Sequence, residues 1–385
     1  MLKHRLLIFL IILSFFAKAE IINIGIYHKS KITSFVFHPV KGTYSVFTEK
    51  GKLINIDNSE IIEVKYSSSS IHIKSLDKDY GSFKKVRFIG IESENSFKLK
   101  IPIYKRVREY EDNLLINLHN YYDYFQLINN IDIDNYVAGV VESEVGRNPP
   151  PEYFKLQAII CRTYALKNID RHTSEGFSLC NKVHCQAYHG KPKSVLIKEA
   201  ALETNGIVIV DSDINLITAT FYSNCGGQTA NSEEVWRQEL YYLRTTKDTF
   251  CLNENNAVWA KKISQTNWKA YLKKHNCTDD ALNHECATEY FQNGREQFYH
   301  KDGVKIPFVQ IRQDFKLKSA QFDIIEDGAQ VILKGKGFGH GVGLCQEGAM
   351  RMAKLGYSYI EILHYYYQDV HMINLESLAF FKADF

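Results

Sequence analysis

What the chain lacks narrows it first. It has almost no net charge: 47 Lys and Arg face 44 Asp and Glu, and three of the basic residues, Lys3, Arg5 and Lys18, lie in the first 19 positions. The remainder is neutral, so no bulk field gathers nucleic acid or an anionic lipid surface. After residue 19 no apolar run is long enough to span a bilayer. There is no internal repeat and no low-complexity tract, which excludes solenoid and tail architectures. The glycines at 335, 337, 339, 341 and 343 are not followed by Lys-Ser/Thr, so they do not form a phosphate loop. Ser223 has no evident triad partners, which argues against a serine nucleophile.

Residues 1–19 run from Lys3, His4 and Arg5 through the apolar stretch Leu6 to Leu13 to Ala17-Lys18-Ala19, the pattern of a secretory signal peptide. Position 20 is Glu rather than the Cys of a lipoprotein. The expectation is an exported protein of the periplasm, cell envelope or extracellular space, without a membrane span once the leader is removed. In such a compartment some of the eight cysteines can pair, and Cys277 with Cys286 is the favoured local staple.

From residue 20 to about 125 short alternating segments (IINIGIY, GTYSVFT, SIHIKSL, KKVRFIGI, LLINLHN, YDYFQLI) separated by polar turns predict a β-rich N-terminal region, a small barrel or sandwich. Helices enter from about 126: one over 152–168, one near 194–204, one over about 345–355 and a last one opened by the capping box Ser358/Glu361. Strands are expected at IVIV, LITATFYS and QVILKG, and a polar insertion over about 260–305. The fold class is α+β, with 126–385 as the catalytic domain.

Glu144 is the strongest candidate for chemistry. It precedes Pro149, Pro150 and Pro151, which suit a helix start, and Phe154, Ala158, Cys161 and Ala165 then fall on one stripe. This reads as a carboxylate on a short turn, desolvated by VAGVV and so able to act as a general acid; a helix-entry carboxylate with a merely electrostatic role is the alternative. Glu142 is its competitor, because an extended segment puts both on one face. No second carboxylate stands in a motif, as two-carboxylate hydrolysis needs.

The segment YVAGVVESEVGRNPPPEYFKLQAIICRTYAL (136–166) closely resembles one signature of the SpoIID/LytB family, and GKGFGHGVGLCQEGA (335–349) resembles the other. FYSNCGGQT (221–229) matches an element between them, and the resemblance runs from about residue 85 to 372. It implies a SpoIID-like catalytic domain with Glu144 as the catalytic residue. The implied activity is a lytic transglycosylase that cuts peptidoglycan glycan between N-acetylmuramic acid and N-acetylglucosamine and leaves a 1,6-anhydro end. One group then suffices, first as acid and afterwards as base for the C6 hydroxyl.

Lys155, Gln157, Arg162 and Tyr164 occupy positions of the same motif. A cation touching Glu144 would spoil it as an acid, so Arg162, with Lys155, is expected to hold substrate. Its fork suits the lactyl carboxylate of peptide-poor strands. Tyr222 and Ser223 are expected to hydrogen-bond a sugar, His340 and Gln346 to bond sugar hydroxyls or Glu144, and Trp236 to stack on a sugar. The loop 171–190 supplies His172, Cys180 and Cys185 as a structural zinc set, supported by the resemblance, with a Cys180–Cys185 disulfide as the rival. No cofactor is required for the chemistry. The rival function is a LytB-like amidase enhancer that binds peptidoglycan or a wall amidase and cleaves nothing; a zinc-dependent hydrolase is a third reading. Val145, Gly146, Ile160 and Cys161 depart from the family pattern beside Glu144.

Overall fold

The computed structural model describes residues 20–118, 123–236, 238–277, 286–301 and 303–382. The expected leader, the end of LLINLHN, the start of YDYFQLI and the middle of the insertion lie outside the described residues. Strands and helices are both present, with strands concentrated in the N-terminal region, an α+β architecture. Among the described residues no helix is long and apolar enough to cross a membrane.

The N-terminal strands form two facing sheets. One orders Leu179–Cys180, Ile21–Ile26, Phe125–Asp132, Asn113–Leu118, Val86–Gly90, Tyr44–Thr48 and Gly51–Ile56. The other orders Arg108–Glu111, Ser96–Lys100, Ser34–Lys41, Ile62–Ser67, Ser70–Lys74 and Asp79–Phe83. Alternation sends Phe35 and Phe37 inward, and Phe37 stacks on Phe88 of the opposite sheet with ring centroids 4.1 Å apart. All six segments read from alternation are strands. The missed ones are chiefly polar edges such as Gly51–Ile56 and Asp79–Phe83, or carry a proline, as Ser34–Lys41 does at Pro39 beside a bulge.

Strand Phe125–Asp132 delivers the chain into the helical part. Asp132 caps helix α1 (Ile133–Val145) by accepting from the N–H groups of Asp134 and Asn135. Gly146, at φ 71°, ends it, and Pro151 opens helix α2 (Pro151–Lys167). Of its 17 residues, 11 are buried. Phe154, Ala158, Cys161 and Ala165 enter the core shared with the sheets, whereas Tyr153, Leu156, Ile159 and Ile160 enter a second core. A helix apolar on both sides belongs between two layers, and α2 is that element here.

Arg162 therefore has no water to face. It is fully buried, and its Nε donates to Asp134 Oδ1 of α1 at 2.7 Å. Its other nitrogens donate to the carbonyl oxygens of Ile207 and of Ala201 in helix α3 (Val195–Glu203), each at 3.1 Å. Asn205 donates to the remaining oxygen, Asp134 Oδ2, at 2.7 Å. The expectation that Arg162 holds substrate is corrected: its charge is spent inside the protein.

Beyond α3, strand Ile207–Val210 pairs antiparallel with His371–Asn374, and Phe221–Tyr222 pairs parallel with Leu344–Cys345. Only that short piece of LITATFYS is strand. Helix α4 (Ser232–Trp236) follows, then a unit with its own core running from Trp268 to Leu333. It holds the three-stranded sheet Val258–Ser264, Gln330–Lys336 and Phe322–Asp327, helices α5 (Gln265–Lys274) and α6 (Phe308–Asp314), and the Cys277–Cys286 disulfide. The insertion read at 260–305 is thus part of a wider unit. Helix α7 (Gln346–Lys354) and helix α8 (Tyr359–Tyr366), with its expected Ser358/Glu361 capping box, pack on the second core; helix α9 (Leu375–Lys382) comes after them.

Removing one partner of a buried ion pair leaves the other charge stranded. Arg162→Ala and Asp134→Ala should each cost about 3–5 kcal/mol of stability in chemical denaturation. A loss below about 1 kcal/mol, the range of an exposed pair, would reject the assignment.

Candidate functional site

Glu144 sits in the last turn of α1, not on a free turn. The signal was present: Ile133, Tyr136, Val137, Val140 and Val141 keep helical spacing behind the Asp132 cap. Its Oε1 accepts from the Ala187 N–H at 2.8 Å, and no ion pair reaches it among the described residues. Burial raises its pKa, and the single bond from Ala187 lowers it by less. The carboxyl also stands at the negative end of the helix dipole, which opposes ionisation further. Such a group holds its proton to higher pH than an exposed carboxylate does.

The helix also separates the two candidates that an extended segment could not. Glu142 points elsewhere, its Oε2 accepting from the N–H groups of Lys193 (2.8 Å) and Ser194 (2.9 Å) at the entrance to α3. Glu142 is an anchor. Beside it opens a groove of about 940 Å³, lined by Gly139, Glu142, Ser143 and His189 on one side and by Lys98, Arg106, Arg108, Lys191 and Lys193 among others. Its five cations outnumber Glu109 and Glu142, so the groove favours anionic ligands.

Loop 186–190 braces α1. His189 N–H donates to Ser143 Oγ at 3.0 Å, and Gln186 Nε2 to the Cys161 carbonyl at 3.3 Å. Gly139 has to be glycine, because a Cβ there would stand 2.4 Å from the Gly190 oxygen.

The other motif residues on α2 are structural in this conformation. Lys155 is held by Glu203 at 2.8 Å and Glu152 at 3.1 Å. Gln157 is fully buried, accepting from Tyr153 Oη at 2.9 Å and donating to Cys161 Sγ at 3.5 Å. Burial, then the neighbouring Glu144, push the Cys161 thiol up, so it stays protonated beside the acid. Tyr164 accepts from Arg171, which also donates to the His184 carbonyl. These four residues therefore position α2 and the 171–190 loop; none is free to grip a ligand.

The glycine-rich loop forms a separate group. His340 Nδ1 accepts from the Val342 N–H at 3.1 Å, which fixes the proton on Nε2, where it is donated to the Phe221 carbonyl at 3.0 Å. Burial brings its pKa down to about 4, so the ring is neutral. No bond joins it to Glu144 among the described residues, which corrects that expectation. Its ring packs against Tyr222 (5.1 Å) and Trp236 (5.3 Å), and Trp236 remains exposed. Ser223 Oγ accepts from Asn256. Gln346 lies beside Tyr153 with its Nε2 buried and unpartnered, and so touches the Tyr153, Gln157 and Cys161 thread that ends at Glu144.

His172, Cys180 and Cys185 do come together, joined by His184, which the sequence reading did not select. The four ligand atoms lie within 4.8 Å of one another, and Cys180 and Cys185 are free thiols with sulfurs 3.5 Å apart. His172 Nδ1 bonds Glu175 Oε1 at 2.6 Å while its Nε2 is buried without a partner. A carboxylate behind one nitrogen and an orphaned second nitrogen is the arrangement of a metal-binding imidazole, so the residues fit zinc.

Comparison with known proteins agrees with these motifs. A family model described as stage II sporulation protein matches residues 121–210, which hold α1, α2 and the Cys/His loop. A stage II sporulation protein D of Bacillus amyloliquefaciens is 28% identical over 65% of this chain and 76% of its own. A protein of Brachyspira hyodysenteriae described as uncharacterized is 28% identical over 73% and 81%. An amidase enhancer of Bacillus subtilis is 24% identical over 80% of this chain and 57% of its own length. The matched segment and these relatives agree with both signatures: the chain is similar to stage II sporulation protein D and to the amidase enhancer over most of its length.

Proposed function

We propose that this protein is an exported cell-wall enzyme, a lytic transglycosylase that cleaves peptidoglycan glycan between N-acetylmuramic acid and N-acetylglucosamine. The observation that carries the reading is Glu144: a lone, desolvated carboxyl at a helix end with one backbone donor and, among the described residues, no cation. It gives its proton to the glycosidic oxygen as the bond to C1 of muramic acid breaks. The carboxylate formed then takes the proton of the C6 hydroxyl as that oxygen bonds C1, closing the 1,6-anhydro ring. No water is consumed, and Glu144 ends protonated. One carboxyl thus does both steps, which suits a site where no second carboxylate acts on Glu144 among the described residues.

With Arg162 inside the core, the lactyl carboxylates of peptide-poor strands are left to the basic groove lined by Glu142, Ser143 and His189, which adjoins the end of α1 but is not lined by Glu144 itself. Zinc on His172, Cys180, His184 and Cys185 would hold the loop whose Ala187 N–H meets Glu144; it takes no part in bond breaking. The relative named as an amidase enhancer supports a second reading, in which the groove binds peptidoglycan or a wall amidase and nothing is cut.

Glu144→Gln should lower release of anhydromuramyl ends from purified glycan by at least about 100-fold, the usual contribution of a general acid. Unchanged release sinks the mechanism; no release from wild type, together with stimulation of an added amidase, selects the enhancer.

The same substitution also tests the proton. A carboxyl whose folded pKa is raised contributes stability in its protonated form, and that contribution is lost as pH rises through the folded pKa. Gln cannot ionise, so E144Q should melt above wild type at neutral pH, with the gap closing below the ordinary carboxylate pKa. A gap that is independent of pH would show that Glu144 is not desolvated.

A further inference from the structure

Three of the remaining cysteines meet at a place no local pattern announces. Cys225, from the Gly-Gly turn after strand Phe221–Tyr222, Cys251, and Cys345, at the start of α7, are all buried and join the buried Asp248. Cys225 Sγ lies 3.3 Å from Cys251 Sγ and 3.2 Å from Asp248 Oδ2, and no two of the four ligand atoms are more than 4.8 Å apart. A tetrahedral zinc with Zn–S bonds of about 2.3 Å sets its sulfurs about 3.8 Å from each other, inside this range. Asp248 and Cys251 stand three apart, the spacing of a Cys-x-x-Cys pair with a carboxylate in first place.

Hydrogen-bond donors converge on these four side chains. Cys345 caps α7, and its Sγ accepts from the N–H groups of Gly348 (3.4 Å) and Cys225 (3.3 Å). Tyr366 donates to Asp248 Oδ2 at 2.9 Å and turns the carboxylate toward the sulfurs. The Tyr222 hydroxyl is buried without a partner close to Cys225 and Cys345. Yet Asp248 has no salt bridge to Lys, Arg or His among the described residues.

We propose that Cys225, Asp248, Cys251 and Cys345 form a second, structural metal site that takes a tetrahedral zinc ion. Binding displaces the thiol protons to solvent and joins three segments: the Gly-Gly turn, the 248–251 loop and the entrance to α7. The site lies directly behind the two parallel strands that present Ser223 and follow the His340 loop. It therefore fixes that face of the molecule independently of the His172 cluster and of whether Glu144 cuts glycan.

The test is metal content in full-length Cys180→Ser/Cys185→Ser protein, which lacks the first cluster. After purification without chelator and with added zinc, about one equivalent per chain should remain. It should vanish on adding Cys251→Ser and persist with Asp248→Cys, which offers a fourth thiolate. Should the double variant not fold, cobalt loaded into the wild-type chain serves instead: its sulfur-to-metal absorption should fall with Cys251→Ser and survive Asp248→Cys. Zinc or cobalt content indifferent to Cys251, or a Cys225–Cys251 disulfide in the mass spectrum of native protein, overturns the proposal.

Discussion

The buried ion pair between Arg162 and Asp134 is the constraint on which the helical part depends. A guanidinium cannot shed its charge, so once α2 is enclosed by two cores, Arg162 must be met from every side. Asp134 meets it from α1, Ala201 from α3 and Ile207 from the following strand. Four segments are thereby brought to one point, and the start of α1 is fixed against the centre of the molecule. Its far end is fixed by Glu142, which holds the entrance of α3. The position of Glu144 follows from these two attachments, neither of which it makes itself.

The Cys/His loop adds the third element. Its descending arm gives Ala187 to Glu144, His189 to Ser143 and Gln186 to α2. Tyr164 and Arg171 hold its ascending arm. Residues that resemble ligand-gripping groups in one dimension thus become supports in three. The cations that line the groove come from the edge of the N-terminal sandwich, from Lys98, Arg106 and Arg108, and from Lys191 and Lys193, of which Lys191 is paired with Glu109.

Much of the fold was legible because period-two segments, the Pro-led helix and the capping box obey local rules. Edge strands were not, since they bury little and so carry little alternation. Helix α1 was missed although its apolar spacing was available, because the motif drew attention to Glu144 and away from the Asp132 cap. Glu144 itself was legible through the family resemblance alone; spacing did not separate it from Glu142. Arg162 was misread because charge suggests solvent, and its partner lies 28 residues earlier on another helix. His184 lies in the same 171–190 loop, but nothing in its spacing marks it as a partner of His172, Cys180 and Cys185. Cys225, Asp248, Cys251 and Cys345 are brought together by tertiary structure, which no window of sequence displays.

The helical rather than extended setting of Glu142 and Glu144 has a further result. Two residues on a helix differ by about 200° in direction, so α1 carries its anchor and its acid on nearly opposite sides. Adding or deleting one residue between Asp134 and Glu144 would turn the acid by about 100° relative to the clamp at the other end. Evolution can therefore lengthen the Gly-Arg-Asn-Pro connection after α1 more freely than α1 itself: within the helix the reading frame of the turn, rather than any single contact, is what drift has to preserve.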